Sequence, residues 1–192
     1  NSLTDLKLNG LSITAGSYMT NLKVRWALQS DLRRMIDIEK KCFDIPWDTE
    51  DFKFALGQKN TIAMVLTKND LVIGHVIYQL GLKDIIIVNM AISPKYQRQG
   101  YGRYLVKFVT DKLLLTPPSE TKREQVSLMV SDTNLSAHLF LKAIGFKAVK
   151  VEVNGFGPNH DGYHFVYSVD GPKIAVAAPV KKTRTRKSRE KQ

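Results

Sequence analysis

The sequence is poor in cysteine and has no long apolar run, and each scarcity excludes a class of protein. A single cysteine, Cys42, cannot form an internal disulfide, so a reducing compartment such as the cytoplasm is expected. No apolar run approaches the roughly 18 residues needed to cross a bilayer, so no membrane partner is expected. The first 20 residues lack the basic segment and apolar core of a secretory signal. A content of 43% hydrophobic and 24% charged residues is typical of one soluble globular domain.

Acidic residues are scarce at the carboxyl end, where most of the net charge of +11 is concentrated. Residues 173–192 contain eight Lys or Arg and one acidic residue, a net +7. This composition predicts a disordered basic tail at 171–192, after a flexible leader at 1–21 and a folded domain at 22–170. Two interpretations of Lys181–Lys191 stay open: binding to nucleic acid or another acidic partner, or a solvated tail that only aids solubility.

Apolar periodicity predicts a mixed order of strands and helices in the folded domain. The predicted order is one strand, two helices, three strands, a helix, a strand, a helix and two final strands. The predicted helix caps are Ser30, then Asp48 or Thr49, and finally Asp132 or Thr133. The predicted strands are 22–28, 61–66, 71–80, 85–92, 125–130, 146–153 and 163–169.

The segment Asn89–Gly102 contains the strongest chemical signal, a glycine-bearing loop between a predicted strand and a predicted helix. The first turn of a helix has unpaired N–H groups and the positive end of the helix dipole. Gly100 and Gly102 leave room for a phosphate beside that backbone, and Arg98 and Arg103 add positive charge. The pattern is neither a P-loop nor a dinucleotide fingerprint. A diphosphate site is therefore predicted, with a ligand-free strand-to-helix loop as the alternative.

Two motifs in this order resemble the GNAT superfamily of N-acetyltransferases. Gln97-x-x-Gly100-x-Gly102 is similar to the family's Q/R-x-x-G-x-G/A loop. The segment from Asn134 to Phe146 is similar to its later helix motif, N-x-x-A-x-x-(L/F)-Y-x-x-x-G-F. The resemblance implies an α/β fold, a mixed twisted sheet of about seven strands with helices on both faces. It also implies transfer of an acetyl group from acetyl-CoA to an amine by direct attack on the thioester, without a metal ion.

The arrangement Phe43-x-x-Pro46-Trp47 resembles the ribosomal-protein alanine N-acetyltransferase branch of this family, which acetylates protein N-termini. That resemblance implies an acceptor amine on a protein or peptide, bound by Ile45, Pro46 and Trp47. A Pro-Trp corner packed for stability is the alternative interpretation of these residues. By the same resemblance, the coenzyme-binding residues are Met90, Ala91, Ile92, Gln97, Arg98, Gln99, Gly100, Tyr101, Gly102 and Asn134.

The proton-transfer positions of the family are not matched in this sequence. The resemblance places the glutamate base at Met129 and the tyrosine acid at Leu141, and neither side chain can transfer a proton. His138, Tyr163 and His164 are the candidate catalytic residues instead, with a purely structural role as the alternative for His138. Two functions therefore stay open: an active N-acetyltransferase, or a catalytically impaired acetyl-CoA-binding or nucleic-acid-associated protein.

Overall fold

The computed structural model describes residues 21–114 and 123–170 of the chain. The predicted basic tail and residues 1–20 of the predicted leader lie outside the described residues. The strands are β1 Leu22–Trp26, β2 Thr61–Lys68, β3 Leu71–Leu80, β4 Asp84–Ile92, β5 Gln125–Ser131, β6 Lys147–Glu152 and β7 Gly162–Ser168. The helices are α1 Leu32–Cys42, α2 Thr49–Gly57, α3 Tyr101–Thr110 and α4 Leu135–Ala143.

The strands form one seven-stranded sheet in the order β1-β2-β3-β4-β5-β7-β6. Neighbouring strands are antiparallel except β4 and β5, which are parallel. The predicted α/β class, the order of the elements and the placement of helices on both faces are confirmed. The buried apolar side chains include Leu105, Val109 and Phe165 under α3 and α4, on what we call the α3/α4 face, and Met35, Ile38 and Phe52 on the opposite α1/α2 face.

The amino end of α1 is held by Asp31 rather than by Ser30, the predicted cap. Asp31 accepts the Leu28 N–H at 2.8 Å, and Arg25 Nη1 and Nη2 donate to its two carboxylate oxygens at 2.6 and 2.9 Å. The hydrogen bond from Arg25 is the main reason that the pKa of the buried Asp31 lies below its ordinary value. Because one carboxylate binds both the turn and the guanidinium, it ties the start of α1 to β1.

The predicted cap of α2 is confirmed at Asp48, whereas the predicted cap of α4 is wrong. Asp48 accepts the backbone N–H groups of the first turn of α2 at 2.8 and 3.0 Å. In α4 the Asn134 side chain accepts the Ala137 N–H at 3.0 Å, the role predicted for Asp132 or Thr133. A side chain at the residue directly before a helix reaches the third N–H group, which explains why Asn134 takes this role.

β4 and β5 separate towards their carboxyl ends, and this gap positions the candidate site. Among the described residues they pair only at Asp84–Ile86 with Gln125–Ser127, although both strands continue further. Val88 forms a bulge in β4, because the residues before and after it pair with adjacent residues of β3. Beyond the paired residues, the facing edges of β4 and β5 therefore present backbone N–H and C=O groups to another partner.

Candidate active site

A groove of about 390 Å³ runs beside the glycine loop, between β4, α3 and α4. Gly100 immediately precedes α3 and has a φ of +87°, a conformation that glycine adopts without strain. Gly102 lies close to α4, because a Cβ at this position would be 3.4 Å from the ring of Phe140. The groove is lined by Met90, Ile92, Gln97, Arg98, Gly100, Gly102, Arg103, Ser136, Ala137 and Phe140.

Two glutamine side chains of the predicted coenzyme-binding set brace the glycine loop. Gln97 Nε2 donates to the Ile92 carbonyl oxygen at 2.9 Å, and the Cys42 thiol donates to the same oxygen at 3.3 Å. Burial raises the pKa of the Cys42 thiol, which keeps it protonated as a donor. Gln99 Nε2 donates to the Lys95 carbonyl oxygen at 2.9 Å. The glutamines therefore shape the loop. Arg103 Nη2 donates to the Ala143 carbonyl oxygen at 3.3 Å, so main-chain N–H groups, Arg98 and the other guanidinium nitrogens of Arg103 are the donors that could contact an anion.

A lysine that the sequence analysis did not single out contacts the start of α3. Lys68, at the end of β2, donates to the Tyr101 hydroxyl at 2.7 Å. Its Nζ also lies 5.8 Å from the ring centre of Tyr96 and 5.2 Å from that of Tyr101, within range of cation–π attraction. These contacts fix the first residue of α3. No local sequence pattern could have indicated them, because 33 residues separate Lys68 from Tyr101.

The backbone direction of β4 decides which of its groups face the gap. The Ser93 N–H donates to the Ile73 carbonyl oxygen of β3 at 2.8 Å, so this N–H points away from β5. Because N–H groups of successive strand residues point to opposite sides, those of Met90 and Ile92 point towards the gap, and that of Ala91 points to β3. Of the predicted coenzyme-binding backbone, Met90 and Ile92 therefore offer their N–H groups to the gap.

The loop between α1 and α2 lies near the carboxyl end of β4, where the gap opens, since Cys42 at the end of α1 hydrogen-bonds to Ile92 at the end of β4. Ile45 in this loop is 91% exposed. Pro46 and Trp47 are half-buried, and the Trp47 ring packs edge-on against Phe52 with 5.4 Å between ring centres. Only Ile45 of the three predicted acceptor residues therefore projects fully into solvent. We call α1, residues 43–48 and α2 together the acceptor wall.

His138 and Tyr163, two of the predicted catalytic residues, lie on the α3/α4 face. His138 Nε2 is 2.9 Å from the Ser131 carbonyl oxygen, and this nitrogen carries a proton because a carbonyl only accepts. The His138 ring contacts Tyr163 and Phe165, with 5.0 and 5.1 Å between ring centres. Leu141, on the same helix, is 2% exposed and belongs to the α3/α4 core. This packing supports the structural interpretation of His138.

His164, the third predicted catalytic residue, lies on the α1/α2 face and is the register partner of Met129. Its Nε2 is 2.9 Å from Glu152 Oε2 of β6. That hydrogen bond is the largest cause of the lowered pKa of the Glu152 carboxyl. No local sequence signal singles out Glu152, because its partner lies on another strand and a bulge after Ala148 shifts the register. Met129, His164 and Glu152 therefore occupy neighbouring strands on one face.

The described part of the chain offers a groove lined by two arginines, an open strand edge and a carboxylate–imidazole pair. Within residues 21–114 and 123–170, no group of three or more His, Cys, Asp or Glu side chains is placed to hold a metal ion. No helix in these two ranges is both long and apolar enough to cross a membrane. The arrangement suits binding of an anionic ligand and proton transfer beside a backbone donor.

Comparison with known sequences gives one consistent result. The model of the acetyltransferase (GNAT) family matches residues 32–146, more than half of the chain. The ribosomal protein bS18-alanine N-acetyltransferase of Escherichia coli K12 is 29% identical over 135 residues, which cover 69% of this chain and 85% of that protein. The protein of the same name from Haemophilus influenzae is 29% identical over 124 residues, which cover 65% of this chain and 80% of that protein.

Solved structures of acetyltransferases share the fold. The Escherichia coli ribosomal-protein-S18-alanine N-acetyltransferase has a TM-score of 0.66 at 22% identity, covering 77% of this chain and 94% of that chain. Arabidopsis thaliana NAA60 in complex with acetyl-CoA has a TM-score of 0.67 at 19% identity, covering 79% of this chain and 100% of that chain. At these identities the structural likeness shows the fold alone.

Proposed function

Because the chain belongs to the acetyltransferase (GNAT) family, it transfers an acetyl group from acetyl-CoA to an amine, and we propose that this amine is the N-terminus of a protein or peptide. The main structural support for this proposal is the gap between β4 and β5. On one side of it lies the groove beside the glycine loop, here called the coenzyme groove, and on the other lies the acceptor wall. Two bacterial relatives are named for acetylating an alanine of ribosomal protein bS18, which supports a protein acceptor.

The coenzyme groove fits the chemistry of an acyl-CoA. The anionic diphosphate of an acyl-CoA matches the two arginines, Arg98 and Arg103, at the amino end of α3. The arm of the acyl-CoA, which is apolar and carries amide groups, matches the Met90 and Ile92 side chains and the open backbone edge of β4. When bound there, acetyl-CoA supplies the thioester carbonyl carbon that the amine attacks.

The Met90 N–H is the proposed donor to the thioester oxygen. It points into the gap, as the alternation from Ser93 requires. A donor aimed at an oxygen that gains charge during reaction lowers the barrier, and removing one such donor typically costs about 10²–10³-fold in rate. Because the donor belongs to the backbone, substitution of the Met90 side chain leaves it in place.

His164 is the proposed acceptor of the proton from the amine. An acceptor bound at the acceptor wall approaches the α1/α2 face, on which Met129 and His164 are neighbours. The Glu152 carboxylate holds the Nε2 proton of the ring, so Nδ1 retains the lone pair that can accept a proton. His138 and Tyr163 lie on the other face, so they are less well placed for this step.

A catalytically impaired acetyl-CoA-binding protein is the alternative function, and two residues favour it. On the family pattern Met129 and Leu141 replace the usual base and acid, and Leu141 is buried in the core at 2% exposure. The coenzyme groove would be intact on either function, because it depends on backbone and arginines. Binding of acetyl-CoA alone therefore does not separate the two functions, whereas turnover does.

The deciding experiment measures thiol release from acetyl-CoA with a matched set of amines. The set is a peptide with a free N-terminal alanine, the same peptide with its N-terminus already acetylated, and spermidine as a small polyamine. We expect thiol release with the free peptide only, and mass spectrometry of the product should place the acetyl group on the α-amine. Tight acetyl-CoA binding without turnover on any amine would establish the alternative instead.

Substitutions at the carboxylate–imidazole pair test the proton-transfer assignment. We expect His164→Gln to lower kcat by about 100-fold, and Glu152→Gln by about tenfold because the ring loses its orienting partner. Affinity for acetyl-CoA, measured by calorimetry, should stay within twofold in both variants. Lys147→Gln, at the exposed start of the same strand and without an ion pair to Glu152, is the matched control and should keep its kcat. Full kcat in His164→Gln would remove the assignment.

Two further proposals depend on the sequence alone. A cytoplasmic location is supported by the single cysteine, which suits a reducing compartment. A nucleic-acid or acidic partner for Lys181–Lys191 is supported only by the charge of that segment, which lies outside the described residues.

A further inference from the structure

A cluster of three polar side chains, two of them buried and the third half-buried, lies beneath the acceptor wall. His75 of β3 and Glu39 of α1 are 0% and 1% exposed. His75 Nε2 lies 3.1 Å from Glu39 Oε1 and 3.0 Å from Asn89 Oδ1 of β4. A carboxylate and an amide oxygen both accept, so the Nε2 proton is shared between them. We call these residues the Glu39–His75–Asn89 cluster.

Burial makes this cluster costly, since its surroundings on the α1/α2 face are apolar. The second ring nitrogen, His75 Nδ1, is buried with no hydrogen-bond partner among the described residues. Replacing a buried polar group of this kind by an apolar side chain of similar shape is often neutral or stabilising. Stability alone therefore does not account for a histidine at this position.

Contacts between the cluster and the acceptor wall form a closed ring. Glu39 Oε2 accepts the Trp47 N–H at 3.3 Å, in the loop between α1 and α2. The Trp47 ring contacts Phe52 of α2 with 5.4 Å between ring centres, and Phe52 contacts the His75 ring at 5.7 Å. One imidazole thus touches, directly or through a single neighbour, every part of the acceptor wall.

The other end of the cluster lies on the strand that faces the coenzyme groove. Asn89 sits between the Val88 bulge and Met90, whose N–H points into the gap. Its side chain shares the His75 proton, so the position of β4 at the bulge is coupled to the position of α1. His75 therefore connects the surface that would hold the amine to the strand whose backbone would hold the thioester.

We propose that His75 is a positioning residue, which sets the acceptor wall relative to β4 so that amine and thioester meet in line. The inference rests on the proposed function. Its physical basis is that bimolecular transfer depends steeply on geometry, and a misplacement of about 1 Å can cost about 100-fold in rate. His75 itself is buried and does not contact the reacting atoms.

Two substitutions of His75 separate positioning from packing. His75→Phe keeps the ring and removes the shared proton, whereas His75→Gln keeps a donor near the place of Nε2. We expect His75→Phe to lower kcat/KM for the acceptor peptide by about tenfold or more, while the Kd for acetyl-CoA changes by less than twofold. His75→Gln should recover most of kcat/KM.

A double variant and a core variant control for loss of stability. In His75→Phe/Glu39→Leu no unpaired carboxylate stays buried, so the melting temperature should recover while kcat/KM for the acceptor stays low. Leu66→Ala, in the opposite core and 0% exposed, should lower the melting temperature and leave kcat/KM near the wild-type value. Recovery of both quantities in the double variant would overturn the proposal.

Fluorescence provides a readout that does not depend on activity. The chain has two tryptophans, Trp26 and Trp47, so a Trp26→Phe background reports on the acceptor wall alone. We expect His75→Phe to increase acrylamide quenching of Trp47 at least twofold and His75→Gln to restore it. Unchanged quenching in His75→Phe would overturn the proposal. Increased quenching in a chain that acetylates no amine would support the coupling of His75 to the wall and reject the proposed function.

Discussion

The two sides of the β4–β5 gap are built by different means. The predicted polar contacts of the coenzyme groove are main-chain N–H groups and two arginines of one continuous segment, and residues of α4 line its other wall. The acceptor side is made of side chains from α1, α2, β3, β5, β6 and β7, which are far apart in the sequence. A site built from backbone keeps its chemistry through most substitutions, whereas a site built from scattered side chains can change with a single one.

That contrast would account for the positions at which the sequence is predicted to depart from its family. The loop motif is complete at Gln97, Gly100 and Gly102, and the groove beside it is present. On the resemblance to the family motifs, the differences are predicted at Met129 and Leu141, positions that would act through their side chains.

Gly100→Asp should weaken acetyl-CoA binding by about 100-fold, or about 2.8 kcal/mol. The φ of +87° strains any residue with a Cβ, and a carboxylate placed beside a diphosphate adds repulsion. Isothermal calorimetry measures the change directly. Gly100→Asn, which has the same shape without the charge and tolerates positive φ, should lose much less. Wild-type affinity in Gly100→Asp would show that the diphosphate lies elsewhere.

Asp31→Asn should lower the free energy of unfolding by about 1–2 kcal/mol at pH 7, because Asp31 ties α1 to β1 through charge-assisted hydrogen bonds. The estimate is kept low because the Arg25 side chain is 37% exposed and solvent screens the pair. The folded-state pKa of Asp31 is lowered, mainly by the hydrogen bond from Arg25, so its carboxylate contributes stability above the unfolded pKa of about 3.9.

This contribution is lost as pH falls through the lowered folded-state pKa, so the difference between wild type and Asp31→Asn should shrink below about pH 4. Urea unfolding at pH 7, 4 and 3 measures the difference. Asp37→Asn, an exposed position on the same helix, is the matched control and should change stability by less than about 0.5 kcal/mol. An equal deficit for Asp31→Asn at all three pH values would contradict the linkage.

Gly102→Ala should have the smallest effect, with acetyl-CoA affinity reduced by no more than about fivefold. The new Cβ would lie 3.4 Å from the Phe140 ring, which can yield by a few tenths of an ångström, and no positive φ is required at this position. Alanine also favours a helix over glycine by up to about 1 kcal/mol, so the melting temperature should not fall. Gly57→Ala, on the acceptor side, should leave affinity unchanged. Equal losses in Gly100→Asp and Gly102→Ala would remove the distinction between the two glycines.

Much of the fold was predictable because its signals are local. The order of strands and helices follows from apolar periodicity, and the cap at Asp48 follows from its spacing to the next N–H groups. The errors at Ser30 and at the start of α4 arose because several adjacent residues could serve as a cap. Which residue acts as the cap depends on where the preceding strand ends and which side chains it brings near the helix. Arg25 of β1, for example, donates a hydrogen bond to Asp31.

The candidate site divides in the same way. The glycine loop was predictable from one segment, and so was the placement of Tyr163 and His164 on opposite faces, from the period of two in a strand. The bracing role of Gln97 and the contact of Lys68 with Tyr101 were not predictable. Both depend on which elements lie next to each other in the sheet.

The sequence by itself determined the family and the acetyl donor and predicted the backbone cradle, because each depends on residues close together in the chain. Only the tertiary structure decided that His164 is paired with Glu152 and that His75 joins Glu39 to Asn89. The physical reason is that side-chain hydrogen bonds between strands and helices depend on register and sheet order. Residues that are 12 to 36 positions apart meet only after the sheet has formed.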